Sequence, residues 1–322
     1  MNRREFVAGS LAVSVAAKAG PAWAQSGPLT KIIFPFAAGG SGDALCRLIA
    51  QYLGPALDRN VIVESRTGGD GLIGIRSVKG ASPDGTTILV TTGPTIYLLP
   101  MVEPVPSFDA RKDFVPVSQL VRFEFAIAAS AAIEVKNFAE LVAWLRVNPS
   151  KASYGTPGSG NIPHFTGWQL EQALGLSMTR VPYRGSALIV NDLIGGHLPF
   201  GITTVSDAIT QHRAGGLRIV AIASAERSSF LPDILTLRES GVDLVADAWY
   251  GMWLPARSPP DFVKKLSAAV ADILAKPDVK EKLLPLMLVP VGSTPEGLMQ
   301  QLNADTAFWQ PIVEKTGYKI TN

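Results

Sequence analysis

Alternating strand and helix patterns predict an α/β protein with parallel sheets, and two similar glycine-rich junctions predict that it is built as two halves. The first junction is Phe34-Pro35-Phe36-Ala37-Ala38-Gly39-Gly40-Ser41-Gly42-Asp43, where an apolar run gives way to small residues and then to a helical pattern from Ala44. The second is Tyr154-Gly155-Thr156-Pro157-Gly158-Ser159-Gly160-Asn161, followed by a helix containing Phe165, Trp168, Gln169 and Leu170. A strand, a tight loop and a helix N-terminus together offer unpaired N–H groups and partial positive charge to an anion. Two such loops facing each other describe a clamp.

Residues 1–24 stand apart from the fold. Arg3-Arg4-Glu5-Phe6 precedes an apolar stretch, and Ala22-Trp23-Ala24 is an A-x-A cleavage site, so the segment reads as a bacterial export signal, with the paired arginines pointing to the twin-arginine route. It holds Arg3, Arg4 and Lys18 against Glu5, which leaves 26 basic and 26 acidic residues of the 29 and 27 in the chain. A neutral mature protein without basic runs is not built for nucleic acid or anionic membrane surfaces. At 322 residues, 47% hydrophobic and 17% charged, the chain can bury two sizeable cores. The single cysteine, Cys46, sits among Leu45, Leu48 and Ile49 at helical spacing and reads as a small core residue with no disulfide partner.

The mature chain is expected to run as follows. Lys31 to Phe36 is a strand, Ala44 to Leu57 an amphipathic helix with Asp43 as its N-cap, and Asn60 to Glu64 a second strand. Gly68, Gly69, Gly71 and Gly74 lead into a helix ending near Gly80, and Thr86 to Thr91 is a buried strand. The proline-rich region from Gly93 to Asp113 reads as a loop or broken helix, and Phe114 to Ala128 as extended segments. Helices over Phe138 to Arg146, Ala187 to Leu193 and Ser206 to His212 alternate with strands over Thr179 to Tyr183, Leu198 to Thr203 and Leu217 to Ala223. Asp247 to Leu254 carries Trp249, Tyr250 and Trp253 in an extended crossing segment. Pro259 to Lys276, Pro277 to Leu286 and Thr294 to Gly317 are helices expected to pack back on the first half.

Most catalytic chemistry is excluded by the motifs. There is no G-x-S-x-G, no H-E-x-x-H and no Cys pair; the loop at 39–42 lacks the Lys and Ser/Thr of a phosphate-binding P-loop and does not follow G-x-G-x-x-G. His164, His197 and His212 lack metal-ligand spacing, so neither a metal nor a cofactor is expected. Ser159 and His164 are close enough in sequence to raise a hydrolase alternative, although His164 is better explained as a capping or pocket-edge donor. Binding remains. A carboxylate held by backbone N–H groups and hydroxyls forms strong charge-assisted hydrogen bonds, here expected without a buried cation.

The chain resembles the extracytoplasmic solute receptors of tripartite tricarboxylate transporters, the Bug family. The resemblance rests on the first junction, on Val63-Glu64-Ser65-Arg66 with the glycines to Gly74, and on Pro83-Asp84-Gly85, Lys112-Asp113-Phe114-Val115-Pro116-Val117 and Ser153-Tyr154-Gly155. His164, Val181-Pro182-Tyr183-Arg184-Gly185, Asp192-Leu193-Ile194-Gly195-Gly196, Leu231-Pro232-Asp233 and Trp249-Tyr250-Gly251 follow in the family's order. It implies a type II periplasmic-binding-protein fold: two α/β domains around a ligand cleft, joined by two crossing segments. The first domain would comprise residues 25–124 and 249–322, and the second 125–248. It also implies a monomeric periplasmic receptor of a Gram-negative bacterium that takes a small organic carboxylate and serves either transporter membrane subunits or a sensor kinase.

Carried over by position, the ligand-binding residues are Phe36, Ala38, Gly40, Ser41 and Gly42 in the first loop and Thr156, Gly158, Ser159, Asn161 and His164 in the second. Thr92, Gly93, Thr203 and Thr204, at strand ends, and Tyr183 complete the wall. The chain departs from the family's pattern at Gly42, where many members carry Thr or Ser, at Asn161, a frequent Ser, and at Thr203, a frequent Asp. The last departure implies a cleft that disfavours amines and favours a di- or tricarboxylate or an aromatic acid.

Overall fold

A computed structural model of the chain describes residues 28–320; the export signal expected over residues 1–24 falls outside the described residues. The elements run β1 (Leu29–Phe34), α1 (Ser41–Leu57), β2 (Asn60–Ser65), α2 (Leu72–Lys79), β3 (Thr87–Thr92), α3 (Gly93–Val102), α4 (Ala110–Asp113) and β4 (Phe114–Ser130). There follow α5 (Phe138–Val147), β5 (Ser153–Pro157), α6 (Ile162–Leu174), β6 (Thr179–Tyr183), α7 (Ser186–Ile194), β7 (Phe200–Thr204), α8 (Val205–Ala214) and β8 (Leu217–Ile222). The chain closes with β9 (Asp247–Pro255), α9 (Pro260–Ala275), α10 (Pro277–Leu283), β10 (Val289–Pro290) and α11 (Pro295–Thr316).

The strands form one curled ladder in the order β2-β1-β3-β9-β4-β7-β5-β6, with β8 and β10 also pairing to β4. It has two halves. In the first, β1 pairs in parallel with β2 and β3; in the second, β5 pairs in parallel with β6 and β7. β4 belongs to both, pairing with β9 as far as Glu124 and with β7 from Phe125 onward. The separate extended segments expected after Phe114 are thus one 17-residue strand, bent by register shifts near Ser118 and Val121.

Apolar side chains are buried in three bodies. One packs α1, α9 and α10 on one face of the first half, centred on Leu45, Ile49, Leu53 and Leu266. A second packs α7 and α8 on the second half through Ile189, Leu193 and Ile209. The third runs along the opposite face of both halves and joins α3, α5, α6 and α11 through Leu98, Leu141, Phe165 and Trp309. Cys46 is buried in the first body, as its helical neighbours require.

One local expectation is met and one is corrected. The region from Gly93 to Asp113 is a broken helix, α3 to Val102, a loop and then α4; Thr92 caps α3 by accepting the Thr95 N–H, and Pro94 stands in the first turn, where its missing N–H costs nothing. Helix α1 starts at Ser41, three residues before the apolar pattern, because Gly40 rather than Asp43 takes the N-cap conformation. Asp43 stands in the third helical position, where its carboxylate reaches back to the Gly39 N–H at 3.1 Å and pairs with Arg47 at 3.0 Å. Burial alone would raise its carboxyl, but Arg47 and Gly39 more than offset that, and it is held below the usual range.

Helix α6 lies flush on β5 because Gly167 faces the buried Tyr154 ring, which is itself stacked on Phe200 at 5.6 Å and has nowhere to go. In an open helix Gly→Ala stabilises. Here the added methyl runs into that ring, so Gly167→Ala is expected to cost about 1–3 kcal/mol, the range for overpacking. Thermal unfolding checks it: a melting temperature equal to or above that of the natural chain refutes the packing argument.

Candidate functional site

The pairing register brings the sequence-predicted residues to one place. Thr92, at the carboxyl end of β3, lies opposite Tyr250 on β9, and Tyr250 lies opposite Val121 on β4. Four residues further along β4, Phe125 lies opposite Thr204, at the carboxyl end of β7. The carboxyl edges of the two halves therefore face each other across about 13 Å of a single strand. In the first half, β1 leads through α1 to β2 on one side while β3 lies on the other, so the first loop and Thr92 flank a point where strand order reverses. In the second half, β5 leads through α6 to β6 while β7 lies on its other side, so the second loop and Thr204 flank the matching point. Such reversal points open a crevice for ligands.

Four helix N-termini border this crevice, and they are not equivalent. Thr92 caps α3; Asn161 caps α6 by accepting the His164 N–H at 3.1 Å; Thr204 caps α8 by accepting the Asp207 N–H at 3.3 Å. Gly40 offers α1 no side-chain cap, so the first-turn N–H groups of Ser41, Gly42 and Asp43 have no capping side chain of their own. Ala38 and Gly40 are exposed, and the half-buried Phe36 ring stands edge-on to Phe34 at 5.2 Å. Gly42 is buried: a Cβ there would lie 2.6 Å from both the Phe34 ring and the Tyr250 hydroxyl. Gly93, similarly, has no room for a side chain against the Trp249 ring.

The second loop is held by its own residues. Gly158 has φ +84°, donates its N–H to the Tyr183 carbonyl, and accepts at its own carbonyl from the Thr156 hydroxyl at 3.0 Å. Asn161 donates to the Pro157 carbonyl as well as capping α6, so both ends of its side chain are engaged inside the loop. The Thr203 side chain is fully buried and donates to the Thr204 carbonyl; the Tyr183 hydroxyl donates to Asp192 at 2.6 Å. The side-chain polar groups of Asn161, Thr203 and Tyr183 are thus engaged within the second half.

Arg180 was not foreseen. Its guanidinium, beneath the second loop, donates to Thr156 Oγ1 at 3.2 Å, to the Gly158 carbonyl at 3.2 Å and to Ser159 Oγ at 3.0 Å. All three acceptors are neutral, and none of the ion pairs among the described residues includes Arg180. Arg180 is half-buried behind the loop, so its charge stands beside a site expected to bind without a buried cation. The sequence signal was a lone arginine in the short strand Thr179–Tyr183, but only the register opposite Tyr154 places it under the loop.

The arrangement also removes the basis for a nucleophile. His164 Nδ1 accepts the Gly160 N–H at 3.0 Å, so at that nitrogen it is an acceptor, not the donor expected from the sequence. Its ring stacks on Phe165 and meets Tyr318 edge-on. The Ser159 hydroxyl is bound to Arg180, which lowers rather than raises the basicity around it.

Comparison with known proteins fits this architecture. Residues 45–318 match the tripartite tricarboxylate transporter family receptor profile. An Agrobacterium vitis protein described as a UPF0065 protein in the TAR-I ttuE-ttuC' intergenic region is 32% identical over 301 residues, covering 91% of this chain and 85% of its own. Among solved structures, MatC (Rpa3494) from Rhodopseudomonas palustris with bound malate has a TM-score of 0.78 at 26% identity, covering 89% of this chain and 99% of its own. R. palustris Rpa4515 with adipate has a TM-score of 0.82 at 27% identity, covering 90% and 97%. Among the described residues no helix is long and apolar enough to cross a membrane. The chain belongs to the tripartite tricarboxylate transporter family of receptors, periplasmic-type solute-binding proteins and not enzymes.

Proposed function

We propose that this receptor captures a small organic carboxylate between the two facing loops and presents it to the membrane subunits of a tripartite tricarboxylate transporter. The observation that carries the reading is the meeting of two carboxyl edges across residues Val121 to Phe125, with the α1 N-terminus on one side and the Arg180-backed loop on the other. An anion there gains from the unclaimed N–H groups of Ser41 and Gly42 at one end and from the charge of Arg180 behind Gly158 and Ser159 at the other. The malate and adipate bound in the two structural neighbours support this ligand class. Gly40, Ser41, Gly42, Gly93, Gly158 and Ser159 would supply the direct contacts, mostly through backbone. The crossings at Glu124–Phe125 and at Ala246–Asp247 would serve as the hinge of domain closure. Export rests on the Arg3-Arg4 signal with Ala22-Trp23-Ala24.

The departure at Thr203 loses its force as a filter against amines, because Asp207 stands in the first turn of α8 and puts a carboxylate at the same end of the cleft. Carboxylate over amino acid is then decided by Arg180 and the α1 N-terminus. Calorimetric titration with malate, adipate, an aromatic acid, amino acids and a neutral sugar tests the class. A response to one or more of the simple acids is expected; tight binding of amino acids or sugar alone ends the reading.

Arg180→Met keeps the aliphatic stem and removes the charge. It is expected to weaken carboxylate binding by about tenfold or more, the effect of losing a charged partner. The salt dependence of binding should flatten with it. Affinity and salt slope that both match the natural chain would show that Arg180 is only a loop tether.

His164 gives a pH signature. Burial first, and the Arg180 charge second, push its imidazole from 6.5 down to about 4, and the neutral ring is the form that accepts the Gly160 N–H. Its folded value lies below its unfolded one, so its contribution to stability is complete above pH 6.5 and is lost as pH falls toward 4. The difference in melting temperature between the natural chain and His164→Gln should therefore be flat above that window and shrink through it. A difference that stays constant on acidification refutes the assignment.

A further inference from the structure

The floor of the crevice carries a group that the sequence placed only in an extended crossing segment. Tyr250 lies on β9 in the row that joins Thr92 to Val121, at the point where the first half ends and the gap to the second begins. Its ring packs on Phe123 at 5.1 Å and on Phe34 at 6.2 Å, which fixes its direction. That direction leads to the first turn of α1: the hydroxyl lies 2.6 Å from the position a Gly42 Cβ would take. Of the four helix N-termini at the crevice, this is the one with no side chain in the cap position.

The hydroxyl thus stands beside the uncapped first turn of α1, where Ser41 and Gly42 present their N–H groups. Tyr250 is 9% exposed, so its hydroxyl is mostly withdrawn from solvent. Burial holds the phenol well above its ordinary range, with the nearby Cys46 and Asp207 adding to the effect. Burial thus favours the neutral O–H, which has a proton to give.

We infer that the Tyr250 hydroxyl is a specificity-determining ligand contact: a donor from the cleft floor to the carboxylate held at the α1 N-terminus, occupying the space a side chain at position 42 would otherwise need. This deepens the proposed function and rests on its ligand class. The inference explains why position 42 is glycine. Any hydroxyl side chain there would displace Tyr250 or Phe34, so the wall has one hydroxyl from the loop, at Ser41, and one from the floor.

Tyr250→Phe removes the oxygen and keeps the ring. The test is calorimetry of the natural chain, Tyr250→Phe and Ser41→Ala against malate, adipate, amino acids and a neutral sugar, with melting temperatures of the unliganded proteins. The expected result is a dissociation constant about tenfold or more higher in Tyr250→Phe for the ligand the natural chain binds, the order for one hydrogen bond to a charged group. Its unliganded melting temperature should be unchanged. An affinity within about twofold of the natural chain overturns the inference. So does a loss of melting temperature shared equally by Tyr250→Phe and Ser41→Ala with affinity intact, which would make the pair an internal brace. If the natural chain binds only amino acids or sugar, the carboxylate reading fails, while the effect of Tyr250→Phe on that ligand still decides the role of Tyr250. No binding by the natural chain to any of them overturns both.

Discussion

Everything at the site depends on one strand changing partners without breaking. Between Glu124 and Phe125, β4 leaves β9 and begins to pair with β7, and because it runs antiparallel to both, it enters the second half at the same kind of edge from which it leaves the first. Two carboxyl edges are thereby forced to face each other. Had β4 met β7 in parallel, the second set of loops would point away from the first, and no clamp would form. The return crossing at Asp247 repeats the constraint from the other direction, with Asp247 opposite Glu124. Burial raises the carboxyls of both, and the cross-strand like charge raises Glu124 further. Like charges directly opposite each other on paired strands oppose that pairing when both are ionised.

The sequence displayed the edges of this arrangement better than its centre. Strand and helix identities follow from the period of apolar residues, so β6, β8, α9 and α11 are all legible from the chain alone. The glycine loops are legible because tight turns restrict composition. What the sequence concealed is what depends on register. Arg180 looks like any exposed strand arginine until β6 is laid beside β5 and its side chain is carried under Gly158. Thr203 looks like a pocket hydroxyl until its neighbours bury it. Asp43 looks like an N-cap because caps are judged by the onset of an apolar pattern, whereas the helix here extends through Ser41 and Gly42, which carry no apolar signal. The break expected after Thr92 falls beyond Val102, because Pro94 stands in the first turn of α3, where it is tolerated.

Glycines at this site are close-contact residues more than flexible ones. Gly42 admits the Phe34 ring and the Tyr250 hydroxyl, Gly93 admits Trp249, and Gly167 admits Tyr154. Each lets an aromatic side chain approach a helix backbone, Gly42 and Gly93 at the crevice and Gly167 in the core of the second half. Among these three, conformation requires nothing special, since positive φ is confined to others such as Gly39, Gly158 and Gly160. The loops thus combine two uses of glycine: positive φ to turn the chain, and a missing Cβ to let the aromatic floor come up beneath it.

The charge balance of the two walls bears on release as much as on capture. The α1 wall offers neutral donors, which water can satisfy when a ligand leaves. The opposite loop is backed by the half-buried Arg180, and a cation stripped of its counter-ion would ordinarily resist opening and destabilise the empty receptor. Arg180 avoids this because its Nη1 donates to Thr156 Oγ1, the Gly158 carbonyl and Ser159 Oγ, none of them belonging to the ligand. Its charge reaches the crevice through the loop while its hydrogen bonds stay inside the fold. An anion entering gains electrostatic attraction without having to supply the arginine's only partners, and an anion leaving strands nothing. Binding strength is in this way separated from the cost of being empty, as a receptor that must surrender its ligand requires.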